Sequence, residues 1–213
     1  MASIDLVKLG IIKSASGNSS SQGFEKILDG ISLENYQSDN LTASGFIADS
    51  WEKLTGDKTL ENGVRGKYFE YLVALTLYLE GVGPFYTYAN LPLVPNVEFD
   101  LIMYSEGKGP IALSIKTSLR ERYKQADLEA LALKTVFRRA ESYLITLNEK
   151  ESITQQRKLE AGDLYALDKI VLATSKDFDQ LVAELKTVEL VKSPTFAFVS
   201  NSEREVPFHG KQN

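Results

Sequence analysis

The sequence predicts an α/β fold, a mixed β-sheet core flanked by helices. Three observations predict it. The segment from about Val64 to Leu79 turns almost wholly apolar after Glu70, which marks a buried helix. Two strand-like runs, 97–105 and 111–118, are separated by Glu106-Gly107-Lys108-Gly109-Pro110, a turn of hairpin type. Beyond them, short β-rich runs alternate with helical ones, the pattern of helices packed on a partly parallel sheet.

Taken in order, residues 1–60 read as an N-terminal helical and loop arm. It has a short first helix, a small polar connection at 14–23, and weak helical periodicity broken by Gly30, Gly45 and Gly56. Residues 61–213 read as the core, the whole forming one compact domain. Gly81 is positioned to stop the buried helix. A proline-broken strand at 85–94 follows. In the run 97–105, Phe99, Leu101 and Met103 share one face, with Glu98, Asp100 and Ile102 on the other. In the next strand Ser114 and Lys116 share a face. A helix is expected from about Gln125 to Ala140, with Leu128, Leu131, Leu133, Val136 and Phe137 as its apolar positions. Strands at 142–147, 169–174 and 195–200 and an amphipathic helix at 176–187 complete the reading.

Composition narrows the chemistry. The absence of cysteine excludes disulfides, thiol catalysis and cysteine-ligated zinc. The single histidine, His209, lies near the C-terminus, so metal or acid–base chemistry has to run on carboxylates and lysine. Carboxylate oxygens suit hard cations, which makes magnesium the expected metal. No stretch is long and apolar enough to span a bilayer, and the N-terminus carries no basic leader pattern, so a cytoplasmic protein is expected. Charge is uneven. Lys116 to Arg139 holds seven basic residues against three acidic ones, an excess of +4, which leaves −9 for the remainder of a chain of net charge −5. A basic stripe on an acidic body suits an enzyme that grips a phosphate backbone in one groove.

Phosphodiester hydrolysis needs acidic side chains to hold a metal and a lysine to orient the attacking water. Asp100 and Lys116, on neighbouring strands joined by a short turn, meet that need. Glu70 is the only charged residue between Lys67 and Glu80 and lies on an apolar helix face, where an acid requires a cation or donor. Glu129 falls early in the helix that leaves the lysine strand, where it can point back to a metal. Glu98 shares a face with Asp100 and competes with it as the ligand.

The order Asp100, Ser114-Ile115-Lys116, Glu129, with Arg120-Glu121-Arg122 just after the lysine, resembles a branch of the type II restriction endonucleases. These are the PD-(D/E)XK enzymes that cut CCGG, CCNGG and CCWGG sites. The branch carries Ser or Thr before x-Lys and a displaced glutamate on the next helix, and Glu70 matches an extra acid on an earlier helix. Phe99 stands in place of the family's proline, and Ser114 in place of the acid of the commoner motif. The likeness covers about residues 62–140. It implies a restriction-endonuclease-like sheet and Mg²⁺ held by Asp100, Glu129 and Glu70, with Lys116 activating water. It further implies that Arg120, Glu121 and Arg122 read guanine and cytosine edges, a task suited to arginine forks and a carboxylate acceptor. Lys124 with Arg138 or Arg139 would touch phosphates. A palindromic double-stranded DNA site implies a homodimer, and a cognate DNA methyltransferase would belong to the same system without direct contact. The alternatives are a structure-specific repair or recombination nuclease, and a DNA-binding module of the same fold without catalysis.

Overall fold

The computed structural model describes residues 6–12, 24, 41–56, 60–192 and 205–207. The connection at 14–23, the strand expected at 195–200 and His209 lie outside them. The described part of the expected first helix, Leu6 to Ile12, is a turn closed by bonds from the Ile11 and Ile12 amides to the Leu6 carbonyl. The elements are helices α1 (Ala43–Thr55), α2 (Asn62–Leu79), α3 (Arg122–Val136), α4 (Glu149–Glu160) and α5 (Lys176–Thr187). The strands are β1 (Phe85–Leu91), β2 (Val94–Ser105), β3 (Gly109–Lys116), β4 (Glu141–Thr146), β5 (Lys169–Leu172) and the two-residue β6 (Glu205–Val206). No helix among the described residues is long and apolar enough to cross a membrane.

The fold is α/β, as expected. The strands form one mixed sheet in the order β5-β4-β3-β2-β1-β6. β1, β2 and β3 pair antiparallel, while β3, β4 and β5 run parallel through the crossovers α3 and α4. The β2–β3 hairpin closes at Ser105 and Gly109, where the glycine takes a φ of +88° that suits the end of a short hairpin loop. Helices cover both faces. Ile111, Leu113 and Ile115 of β3 pack with α2, α1 and α5, whereas Ala112 packs with Leu133 of α3. α4 closes the second face beside β5, with Leu159 against the cluster of Leu119, Tyr123 and Leu144. Leu6, Ile11, Ile12 and Phe24 belong to the same cluster as α2, so the early part of the chain contributes to the main core.

α2 is buried on nearly all sides from Tyr68 to Tyr78, as its sequence predicts. It ends in a Schellman arrangement. Gly81 has a φ of +74°, its amide donates to the Tyr78 carbonyl, and the Val82 amide donates to that of Leu77.

Three expectations need correction. Phe99 does not share a face with Leu101 and Met103; it packs with Ile102 on the α3 side. Alternation breaks in the neighbouring strand as well, where Tyr88, opposite this stretch in β1, has a φ of +50°. Phe85 and Tyr88 then both reach the α2 side. The helix expected over 125–140 begins earlier and stops at Val136. Of its expected apolar positions only Leu133 is buried, because the face against the sheet is built from Tyr123, Ala126, Asp127 and Ala130, while Leu128, Leu131 and Val136 are exposed. α4 was not expected at all.

Asp127 holds α3 in place. It is buried, and its carboxylate accepts from the backbone amides of Tyr165, Ala166 and Leu167 in the segment before β5. Removing it strands three donors. Asp127→Ala is expected to lower unfolding free energy by about 3 kcal/mol, read as a shifted urea midpoint at unchanged slope. An unchanged midpoint contradicts the role.

Candidate active site

The site lies where β3 ends. The β2–β3 register pairs Leu101 with Leu113, which brings Asp100 beside the last turn of the neighbouring strand. The Lys116 Nζ donates to Asp100 Oδ2 at 2.6 Å, and the Ile115 backbone amide donates to the same oxygen at 2.7 Å. Both side chains are largely buried, 15% exposed for Lys116 and 14% for Asp100. Burial makes the lysine costly without its partner, and the pair supplies the compensation. Glu98 is exposed on the same strand, whereas Asp100 is engaged by Lys116 and the Ile115 amide.

Glu129 approaches from α3. Asp100, Ser114 and Glu129 line one small cavity together with Ser142 and Tyr143. Its volume is about 10 Å³, room for one water at most. The Ser114 and Ser142 hydroxyls on this wall are buried without a hydrogen-bond partner. Glu129 Oε1 accepts from Gln125 at 2.7 Å. Burial pushes the Glu129 carboxyl above its ordinary value. The Gln125 bond and the Lys116 ammonium oppose that rise, and the charge of Asp100 adds to it.

Glu70 comes from the other face, on α2. Its Oε2 accepts from Lys67 Nζ at 2.7 Å and from the Tyr88 hydroxyl at 2.8 Å, and Lys67 also lies 4.2 Å over the Tyr88 ring. The need for a cation or donor read from the sequence is therefore met by Lys67 and Tyr88, neither singled out beforehand. Lys67 sits three residues before Glu70, a helical spacing that was available as a signal. Tyr88 reaches Glu70 only through its unusual backbone, which no sequence pattern announces. Burial raises the Glu70 pKa, the neighbouring Asp100 charge raises it further, and Lys67 and Tyr88 act against both. Burial and the Glu70 charge drive the Tyr88 hydroxyl strongly upward.

The basic residues divide. Arg120, Glu121 and Arg122 are exposed at the start of α3, on the end of the sheet where Lys116 lies. Arg120 has a φ of +29°, a tight backbone turn between strand and helix. Lys124 is exposed and paired with Glu121 at 2.6 Å. Among the described residues Arg120 and Arg122 make no ion pair, and neither do Arg138 and Arg139. The last two do not join the site. Arg139 lies against Gly109, at the opposite end of β3 from Lys116.

Among the described residues no three acidic or histidine side chains lie close enough to form a complete metal cage. Magnesium does not require one, since it is bound by one or two carboxylates and keeps water or phosphate in its other positions. The donor set fits that pattern. Both bonds to Asp100 fall on Oδ2 and the bond to Glu129 falls on Oε1, so each carboxylate keeps a hard oxygen free. Burial is the main cause of the raised pKa values of Glu70 and Glu129, and the Asp100 charge adds to both. No protein-family model, curated protein or solved structure matches this chain.

Since the folded-state pKa of Glu70 lies above the value of 4.5 for the free group, folding favours its protonated form. That stability is fully present below the unfolded pKa and is lost as pH rises through the folded one. In metal-free buffer, Glu70→Gln is expected to gain on the wild type in melting temperature as pH rises from about 4 to about 8. A difference that stays constant across that range contradicts the shift.

Proposed function

We propose that this chain is a magnesium-dependent endonuclease that hydrolyses double-stranded DNA at a CC/GG-containing palindrome. The observation that carries the reading is the buried 2.6 Å contact between Lys116 and Asp100, with Glu129 on the same cavity wall. A lysine committed to an acid at the end of a core strand, beside the half-buried carboxylate of Glu129, is costly for stability alone.

Asp100 and Glu129 would hold the ion, with Glu70 supporting the acidic pair from the opposite face. Bound there, magnesium supplies charge neutralisation at the phosphoryl oxygens and a more acidic water. The Ile115 amide fixes the Asp100 carboxylate through Oδ2. Lys116 spends one of its three donors on Asp100, which leaves two to orient a water and a phosphate oxygen. Arg120, Glu121 and Arg122, exposed four to six residues beyond Lys116, are free to meet base edges in the major groove while the reacting phosphate lies at the strand ends. Lys124 would contact phosphate, exchanging Glu121 for the DNA backbone. Two chains related by a two-fold axis would match a palindrome.

The small cavity lined by Asp100 and Glu129, with room for one water at most, favours a second reading, a DNA-binding module of similar architecture that performs no chemistry. Salt-dependent DNA binding with no cleavage in any divalent ion would establish it.

The test is plasmid cleavage in magnesium. The wild type is expected to give discrete fragments, and Lys116→Ala to lose at least about a hundredfold in rate while still melting cooperatively. Equal rates in the two proteins overturn the endonuclease reading.

A further inference from the structure

α4 supplies a group that the motif does not contain. The Glu151 carboxylate accepts from the Leu119 backbone amide at 2.6 Å and from the Ser118 hydroxyl at 3.2 Å. Those two residues are all that separates Thr117, next to the lysine, from Arg120. Glu151 is itself fixed. Its amide donates to Asn148 Oδ1 at 3.1 Å, the N-cap of α4, and the Asn148 amide donates to Thr146 Oγ1 at 3.2 Å. Thr146 is fully buried and is the registered partner of Lys116 in the parallel β3–β4 pair. A closed circuit results. It leaves Lys116 across the sheet to Thr146, passes through Asn148 and Glu151, and returns to Ser118 and Leu119.

The same helix grips the start of α3 a second time. Lys158 donates to the Tyr123 hydroxyl at 3.2 Å and lies 4.7 Å over that ring. Leu119 is wholly buried, and the Arg122 and Tyr123 amides both donate to its carbonyl. The exposed Arg120-Glu121-Arg122 segment is thereby carried on a residue anchored from below by α4. A charged acceptor on a backbone amide is among the stronger hydrogen bonds a loop can make.

We propose that Glu151 is a positioning residue that sets the register of Arg120, Glu121 and Arg122 relative to Lys116, and so determines sequence preference. This rests on the endonuclease reading above. Glu151 touches neither DNA nor the reacting atoms. Its effect passes through the Leu119 amide, where a displacement of about 1 Å would move the arginine forks off their base edges.

The experiment has two arms, each run on wild type, Glu151→Ala and Glu151→Gln. In the first, plasmid of known sequence is cut in magnesium with either a CCGG-bearing or an AT-only duplex as competitor. Glu151→Ala is expected to keep cleavage that is still lost in the Lys116→Ala double variant. Its discrete fragments should give way to a smear, and its preference for the CCGG competitor should fall at least roughly tenfold, expressed in KM more than in kcat. Glu151→Gln, whose amide oxygen still accepts from Leu119, should recover most of the preference. In the second arm, amide hydrogen exchange is followed without DNA. The Leu119 amide should exchange at least roughly tenfold faster in Glu151→Ala, with β3 and β4 amides unchanged.

An unchanged fragment pattern and competitor preference in Glu151→Ala overturn the inference, as does unchanged protection at Leu119. If the wild type shows no Lys116-dependent cleavage, the endonuclease reading fails and the specificity claim falls with it. The exchange arm then decides independently whether Glu151 holds the segment.

Discussion

The ion pair between Asp100 and Lys116 is the constraint on which the site depends. It joins two antiparallel strands at the point where the sheet changes from antiparallel to parallel pairing, since β3 has β2 on one side and β4 on the other. Two buried charges at 2.6 Å tolerate little slippage, and the Ile115 amide on the same oxygen removes most of what remains. Everything else approaches this pair from elements packed against it. Glu70 arrives with α2 on one face and Glu129 with α3 on the other, and the charge of Asp100 raises the pKa of both. Asp100 lies midway along β2, but its partner Lys116 is the last residue of β3, and ligands of open α/β sheets bind beyond the carboxyl ends of the parallel strands.

Much of the architecture was legible because burial writes itself into apolar pattern. α2, β2, β3, β4 and α5 could each be located that way, and the hairpin was marked by Gly107 and Gly109. α4 was missed because its sequence, EKESITQQRKLE, has almost no apolar residue and buries only Ser152 and Gln155. Its signal was of another kind: Asn148 as N-cap, Glu149 and Glu151 in the first turn, Arg157 and Lys158 in the last. The displaced face of α3 has a related cause. Alanines and Asp127 form its buried side, so the leucines, which dominate any hydrophobicity count, mislead about its orientation.

The candidate site was legible to the extent that motif spacing fixes strand neighbours. Asp100 and Lys116 are in contact, and Ser114 and Glu129 share a cavity with Asp100. Interactions that depend on local backbone irregularity or on elements without pattern were not legible. Tyr88 meets Glu70 by virtue of a left-handed residue in β1, and Glu151 meets Leu119 from a helix that hydropathy cannot see. Arg138 and Arg139, close in sequence to the stripe, are carried by α3 to the far end of β3, since the helix returns antiparallel to the strand before it.

The most direct measurement is calorimetric titration of Mn²⁺ into the wild type and into Asp100→Asn, both bound to duplex DNA. One divalent ion is expected to bind per chain in the wild type, with affinity reduced at least roughly tenfold in Asp100→Asn, because that substitution removes a charged hard oxygen. Binding of equal affinity and stoichiometry in the two proteins would contradict a cation site built around Asp100 and Lys116.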